Sequence, residues 1–352
     1  MKIKLAILHN DIIYLNRIIN VFNTKYAEKI QVYSFTKLNN ALEELENSRI
    51  DVFIASDVFE INVSEIPKRC GFAYFVDSAD IETFKDQHAI CRFQKVDLIY
   101  RQILSIYSEN AGSIASLKIG DDSCKTIAFT APSGGVGSST MAAACAFRFA
   151  GQGKKTLYLN FEKCGLTDVF FQAEGQFDMS DIIFALKSKK SNLSIKLESC
   201  LKQDQNGVFF YSQPKIALDM LEFSTEEMIR LISQVKLSSS YDCIILDLDF
   251  GLDNDSLNLF RQADSVIWTG DGSEISNYKI KRALHALSIL EKDDEISLLN
   301  RISLVYNKFS SKSSRIIDDI EIKNIGGTPR YEHATTKQVL EKISQMQMFD
   351  NI

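Results

Sequence analysis

Apolar residues in this chain gather in short runs, separated by polar segments in which the apolar positions recur every three or four residues. KIKLAIL, QVYSF, DVFIAS, GFAYFV and AICRF are such runs in the first third, each bounded by polar residues, and each predicts a strand. Between them, LNRIINVFNTKY and TKLNNALEELENS carry the helical repeat and predict amphipathic helices. Strands alternating with helices predict a parallel sheet with helices on both faces. From Glu109 to Cys124 the stretch ENAGSIASLKIGDDSC loses that period and turns small and polar. It divides the chain into a front domain over 1–112, a linker over 113–123 and a second domain over 124–352.

The second domain begins with the strand TIAFTA, a glycine cluster and the helix STMAAACAFRFAGQG, which Gly151 and Gly153 end; the strand TLYLN follows at once. Strand, glycine turn, helix, strand is the first unit of a nucleotide-binding α/β fold. GVFFYS, CIILDLD, SVIWTG and SLVYN predict further strands, and Ser224 with Glu227 forms a capping box ahead of the helix STEEMIRLISQV. In TTKQVLEKISQMQMFDNI, Val339, Leu340, Ile343, Met346 and Phe349 stand at helical spacing. Only Lys337 and Lys342 are basic there, so the segment predicts a helix docked on its own core rather than on anionic lipid.

A length of 352 residues is more than one compact core usually organises, which agrees with two domains. The balance of 45% hydrophobic and 24% charged residues is that of a globular protein, and 4 prolines exclude a proline-rich linker. A net charge of −6 argues against a strongly basic nucleic-acid wrapper. The basic stretches KSKKSN (187–192) and Lys279–Arg282 read as solvated faces. Seven dispersed cysteines without a C-x-x-C pair read as the reduced thiols of a cytosolic protein. The apolar run in MKIKLAILHNDIIYL is too short for a signal peptide, and no run approaches the ~18 apolar residues of a membrane span. His9, His88, His285 and His333 are isolated from any second ligand at metal spacing.

The chemistry concentrates after Thr130, in T-A-P-S-G-G-V-G-S-S-T. Gly134, Gly135 and Gly137 let the backbone curl with its N–H groups inward, an anion cradle at a helix N-terminus. The hydroxyl of Ser139 is placed to ligate a Mg²⁺ that bridges phosphates. The run Ser133, Gly134, Gly135, Val136, Gly137, Ser138, Ser139, Thr140 resembles the deviant Walker A motif K-G-G-V-G-K-T-T of the MinD/ParA family of P-loop ATPases. Ser133 stands at the family's signature lysine and Ser138 at its P-loop lysine. Asn160 and Glu162, in LYLNFEKCG, lie where the family carries an acidic D-x-D. Asp247 ends CIILD as the Walker B aspartate does, implying Mg²⁺ held by Ser139 and, through water, by Asp247. Asn307 after SLVY lies where ParA-like proteins set an Asn against adenine. The run from Gly326 to Tyr331 resembles the loop bordering that base, which brings in Pro329, Arg330 and Tyr331. The resemblance spans roughly 124–340 and implies ATP and Mg²⁺ as cofactors.

The front half is similar to that of the TadZ/CpaE pilus-assembly proteins, in which a receiver-like domain precedes the ATPase. A working receiver has acidic residues after strand one and a phospho-accepting Asp ending strand three. Here strand one ends His9-Asn10-Asp11 and the strand-three position is Ser56, with Asp57 next; Ser78 and Lys95 align loosely with the switch hydroxyl and lysine. Without carboxylates at Asn10 and Ser56 the domain reads as an interaction or localisation module rather than a phosphorylated one.

What the resemblance implies is an ATP-binding homodimer that localises or nucleates a Tad/Flp-type pilus machine. It would lie in the cytoplasm, concentrated at a cell pole, and meet other assembly proteins through the front domain. Losing two cations that stabilise charge in the transition state, each worth roughly 10²–10³-fold in rate, predicts slow or absent hydrolysis. Glu162 is then the residue to position the attacking water. Lys163, Lys279, Lys281 and Arg282 read as solvated charges rather than replacements. The alternative is a ParA-like partition ATPase that binds nonspecific DNA, with affinity falling steeply in salt. A MinD-like membrane ATPase is a third reading, which the sparse basic residues of TTKQVLEKISQMQMFDNI count against, and a nucleotide-free scaffold is a fourth. The iron–sulfur branch of the superfamily needs a cysteine spacing the chain lacks.

Overall fold

The structure is a computed structural model that describes residues 2–110, 124–165, 167–188, 192–238, 240–291 and 298–352. The linker over 113–123 and Lys189, Lys190 and Ser191 of the basic stretch lie outside the described residues. The chain forms two compact units, Met1–Ser116 with Phe184–Cys200, and Leu117–Ile183 with Leu201–Ile352.

The first unit contains β1 (Ile3–Leu8), α1 (Ile12–Lys25), β2 (Ile30–Phe35), α2 (Leu38–Asn47), β3 (Val52–Ser56), β4 (Gly71–Val76), β5 (Thr83–Phe84), β6 (Gln87–Cys91) and α3 (Val96–Asn110). The sheet order is β2-β1-β3-β4-β6-β5, parallel except for the β5–β6 hairpin, which is the flavodoxin-like arrangement with a short extra edge. Every residue of β3 and β4 is buried, because both faces of the sheet are covered. On one face Leu15, Ile18 and Phe22 of α1 meet Ile99, Ile103 and Ile106 of α3. On the other, Ala41 and Leu45 of α2 share the space with Phe59, Ile61 and Ile66 from a loop.

The predicted alternation of strand and helix stops after β3. A single 3-10 turn, Val63–Glu65, leads to β4, and the small β5, which precedes β6 along the chain, lies outside it at the sheet edge. Asn62 accepts a bond from the Ser64 N–H at 3.2 Å, a local turn that competes with helix, and Pro67 follows closely. A helix from farther along the chain, Leu193–Cys200, packs on α3: the Lys196 ammonium donates to Ser105 Oγ at 2.8 Å, and the Tyr100 hydroxyl to Glu198 at 3.1 Å.

The second unit runs β7 (Lys125–Thr130), α4 (Ser138–Gly151), β8 (Thr156–Asn160), α5 (Thr167–Phe170) and the start of α6 (Met179–Ser188), whose remainder belongs with α7 (the helix Leu193–Cys200 just described) to the first unit; it resumes with β9 (Lys202–Gln203), β10 (Phe209–Phe210), α8 (Leu218–Leu221), α9 (Thr225–Leu237), β11 (Cys243–Asp247), α10 (Asn254–Phe260), β12 (Ser265–Gly270), α11 (Glu274–Leu290), β13 (Ile302–Phe309), β14 (Lys323–Pro329) and α12 (Thr336–Ser344). Its sheet order is β14-β13-β12-β7-β11-β8-β10-β9, parallel except for β9 against β10. From the central β7 the chain passes to β8 on one side and later to β12 on the other. The strand ends at that reversal form the crevice where α/β sheets bind ligands.

The segment Gly326–Tyr331, read from sequence as a loop, is strand through Pro329. It sits at the sheet edge, where a proline costs no ladder bond. Met141 to Ala146 of α4 are all buried between the sheet and α12, and their small side chains allow that close approach. Thr335 and Gln338 make a capping box that starts α12. Leu340, Ile343 and Phe349 are buried in the core, and Asp350 pairs with Arg148 at 2.6 Å. Among the described residues, no helix is long and apolar enough to cross a membrane. None of the seven cysteines is in a disulfide, and burial pushes the Cys70 and Cys243 thiols up to about 12.

Candidate nucleotide site

The glycine turn lies between the C-terminal end of β7 and the N-terminus of α4. Gly135 has φ 75° and Gly137 φ 91°, and Gly137 is the N-cap of α4. Only glycine suits that cap: a Cβ there would stand 2.4 Å from Asn307 Nδ2, in a backbone region that L side chains avoid. The first turn of α4 holds Ser138, Ser139 and Thr140, and its N–H groups receive no side-chain cap. Gly134 and Gly135 are exposed, whereas Ser133 and Val136 are buried.

Asp247 ends β11 beside Asn160, which ends β8, because the two strands pair with these residues in register. Asp247 is fully buried. Its Oδ2 accepts from the Tyr158 hydroxyl at 2.5 Å and from Asn160 Nδ2 at 3.3 Å, while its Oδ1 has no partner. Burial holds this carboxyl well above the usual range; the charge of Glu162 adds to the effect, and the Tyr158 bond opposes it. Ser139 Oγ lies 3.1 and 3.2 Å from the two carboxylate oxygens of Glu162. Asn160 orients Glu162, accepting its backbone N–H at 2.8 Å. Glu162 is also raised, chiefly by burial, against the bonds from Asn160 and Ser139. Ser138 Oγ is buried and unpartnered. Two carboxyls short of positive charge, beside unpartnered oxygens at a helix N-terminus, suit a hydrated divalent cation with a phosphate.

The other residues read from the sequence divide. Asn307 is buried and its amide is engaged: Nδ2 donates to the Val136 carbonyl at 2.9 Å, and Oδ1 accepts from Thr328 Oγ1 at 2.8 Å and from the Lys308 N–H at 3.0 Å. It therefore braces the glycine turn, keeping one amide N–H uncommitted. Pro329 pairs with Phe309 across β13 and β14 and is exposed, as is Arg330. Tyr331 packs on the core under Lys342, whose ammonium lies 4.9 Å from the ring. Sequence reasoning missed Tyr158, Thr328 and Lys308. Tyr158 stands two residues before Asn160, on the same face of β8, and Lys308 directly follows Asn307; those offsets were the available signals.

In the first unit, the receiver positions are put to structural use. Asp11 caps α1, accepting from the Ile13 and Tyr14 N–H groups. His9 is fully buried, with Asp11 N–H donating to its Nδ1 at 2.9 Å and Arg92 at 3.3 Å from its Nε2. Ser56 is buried and donates to Asp57 at 3.3 Å. Ser78 Oγ accepts the Asp80 N–H at 3.3 Å. Among the described residues, no group of three or more His, Cys, Asp or Glu side chains gathers to hold a metal ion.

A family model described as TadZ-like, receiver domain, matches residues 1–108. Another, described as an AAA domain, matches residues 124–299, half of the chain. Among solved structures, a ParA family ATPase from Chlorobium tepidum TLS is similar at 21% identity and a TM-score of 0.52, over 65% of this chain and 96% of that one. The septum site-determining protein MinD complexed with Mg-ADP from Pyrococcus horikoshii OT3 is similar at 16% identity and a TM-score of 0.51, over 64% and 93%. At such identities the likeness is one of fold. No curated protein matches the chain in sequence.

Proposed function

The chain belongs to the AAA-domain family of ParA- and MinD-like ATPases and carries a TadZ-like receiver domain ahead of it, and from that premise we propose that it is an ATP-binding, dimerising component of a Tad-type pilus assembly that hydrolyses ATP slowly or not at all. The observation that carries the ATP reading is the buried, unpartnered Oδ1 of Asp247, a carboxyl that shares Asn160 with Glu162, which in turn meets Ser139 at the start of α4. Ser139 and Asp247 would hold Mg²⁺, which when bound supplies positive charge to the phosphates. The chain's own groups do the rest. Backbone N–H groups of the turn and of the first turn of α4 bind phosphate oxygens, and Asn307 keeps the turn in shape. Glu162, held by Asn160, is the group available to orient an attacking water. The MinD relative was solved with Mg-ADP, which supports the same ligand class here.

Slow hydrolysis follows from Ser133 and Ser138, which offer hydroxyls where the transition state needs cations. Dimerisation, contact of the front domain with other assembly proteins and concentration at a cell pole rest on the TadZ-like match. Light scattering with and without MgATP tests the first of these. The decisive binding test is isothermal titration of wild type and Asp247→Ala with MgATP. Wild type should release heat and the variant should bind at least tenfold more weakly; silence from the wild type defeats the proposal.

A further inference from the structure

We propose that Lys308 is the cation of this nucleotide site, standing in from β13 for the lysines absent at Ser133 and Ser138; the inference rests on the ATP-binding reading above. Its ammonium already touches the glycine turn, donating to the Gly135 carbonyl at 2.8 Å. Its Cε lies 3.7 Å from where a Gly137 Cβ would stand, so the stem runs along the turn at contact distance. The side chain is exposed and carries three donors, of which the Gly135 bond uses one. Two donors are thus left for a phosphate oxygen bound at the turn.

The backbone is shaped to deliver it. The register of β13 against β14 shifts between Tyr306 and Phe309, and Lys308 takes φ 56°, the left-handed region that a lysine adopts at an energetic cost. Such a conformation persists only where its surroundings over-determine it. Here Asn307 does so, its Oδ1 accepting the Lys308 N–H while its Nδ2 holds the Val136 carbonyl. One side chain thus couples the position of the lysine to the shape of the turn. Among Lys163, Lys279, Lys281, Arg282 and Lys308, the last is the one with a bond to the glycine turn; Lys281, for instance, is turned to Asp319 at 2.6 Å.

The test is titration of wild type, Lys308→Met, Lys308→Arg and Lys308→Gly with MgATP, beside thermal unfolding of each without nucleotide. The Met and Gly variants should bind about 10- to 100-fold more weakly, the worth of a charge-assisted hydrogen bond, while Arg retains most of the affinity. Lys308→Gly should unfold at the same temperature as wild type or higher, because glycine is at ease at this φ. Wild-type affinity in Lys308→Met overturns the inference and leaves the ATP site standing. Equal losses in the Arg and Met variants, or a lower unfolding temperature for Lys308→Gly, show a packing role and also overturn it. No MgATP binding by wild type removes both readings together.

Discussion

On the proposed function, Ser138 is where a single side chain would decide whether the cradle merely holds phosphate or also drives its transfer. Its Oγ is buried at the start of α4 with no partner, so a lysine there would bring a cation to the turn without breaking an existing bond. Ser138→Lys is expected to raise phosphate release by roughly 10²-fold, measured at steady state with saturating MgATP. No rise would mean that something other than the missing lysine limits turnover. Gly137→Ala probes the brace: the backbone penalty alone is about 1–2 kcal/mol. The new Cβ would also displace the Asn307 amide, so both urea stability and MgATP affinity should drop. The grouping of Ser139, Asp247 and Glu162 was legible from motif spacing: Asp247 closes one apolar strand, Glu162 follows another, and Ser139 opens the helix after the glycine turn. The engagement of Asn307 with the turn, the Tyr158 bond to Asp247 and the reach of Lys308 were not. They depend on strand order and on a register shift, which local pattern does not encode.

Among the elements, α12 shows what an apolar stripe at helical spacing is for. Leu340 and Ile343 are buried against the α4 side of the core, and the following turn adds Met348 and Phe349. Ile343→Ala should cost about 2–5 kcal/mol in urea unfolding, the range for a fully buried aliphatic truncation. A change below about 0.5 kcal/mol, the size typical of exposed sites, would contradict the docked position. The strand–turn–helix–strand unit from β7 to β8 was readable because its signals are local: an apolar run, glycines, then a small-residue helix. In the front unit all five strands read from the sequence form, β4 and β6 included, but the alternation with helices stops after β3, where Asn62 and Pro67 accompany a short turn in place of a helix. The edge strand β14 escaped notice because KNIGGTP is rich in glycine and ends in proline, features that mark a turn unless a neighbouring strand is there to pair with.

At the scale of the whole molecule, stability and ligand binding are coupled to solution conditions in ways that can be measured. Burial, and then the charge of Arg92, lower the pKa of His9 below its ordinary 6.5, while Asp11 and Asp57 oppose this. The folded state therefore binds fewer protons here than the unfolded one. The contribution is complete above about 6.5 and is lost as pH falls through that value towards the lower folded pKa, at no more than about 1.4 kcal/mol per pH unit. Unfolding followed between pH 7.5 and 5.5 should show this loss, and His9→Gln should flatten it. The net charge of −6 gives no general attraction for polyphosphate, so the proposed nucleotide affinity would have to come from the local groups at the glycine turn. The most direct test of a site that holds ATP with little turnover is to follow γ-labelled ATP through gel filtration with the protein and Mg²⁺. The expected result is label co-eluting with the protein as intact ATP. Label absent from the protein peak, or recovered as free phosphate as fast as efficient relatives release it, would contradict it.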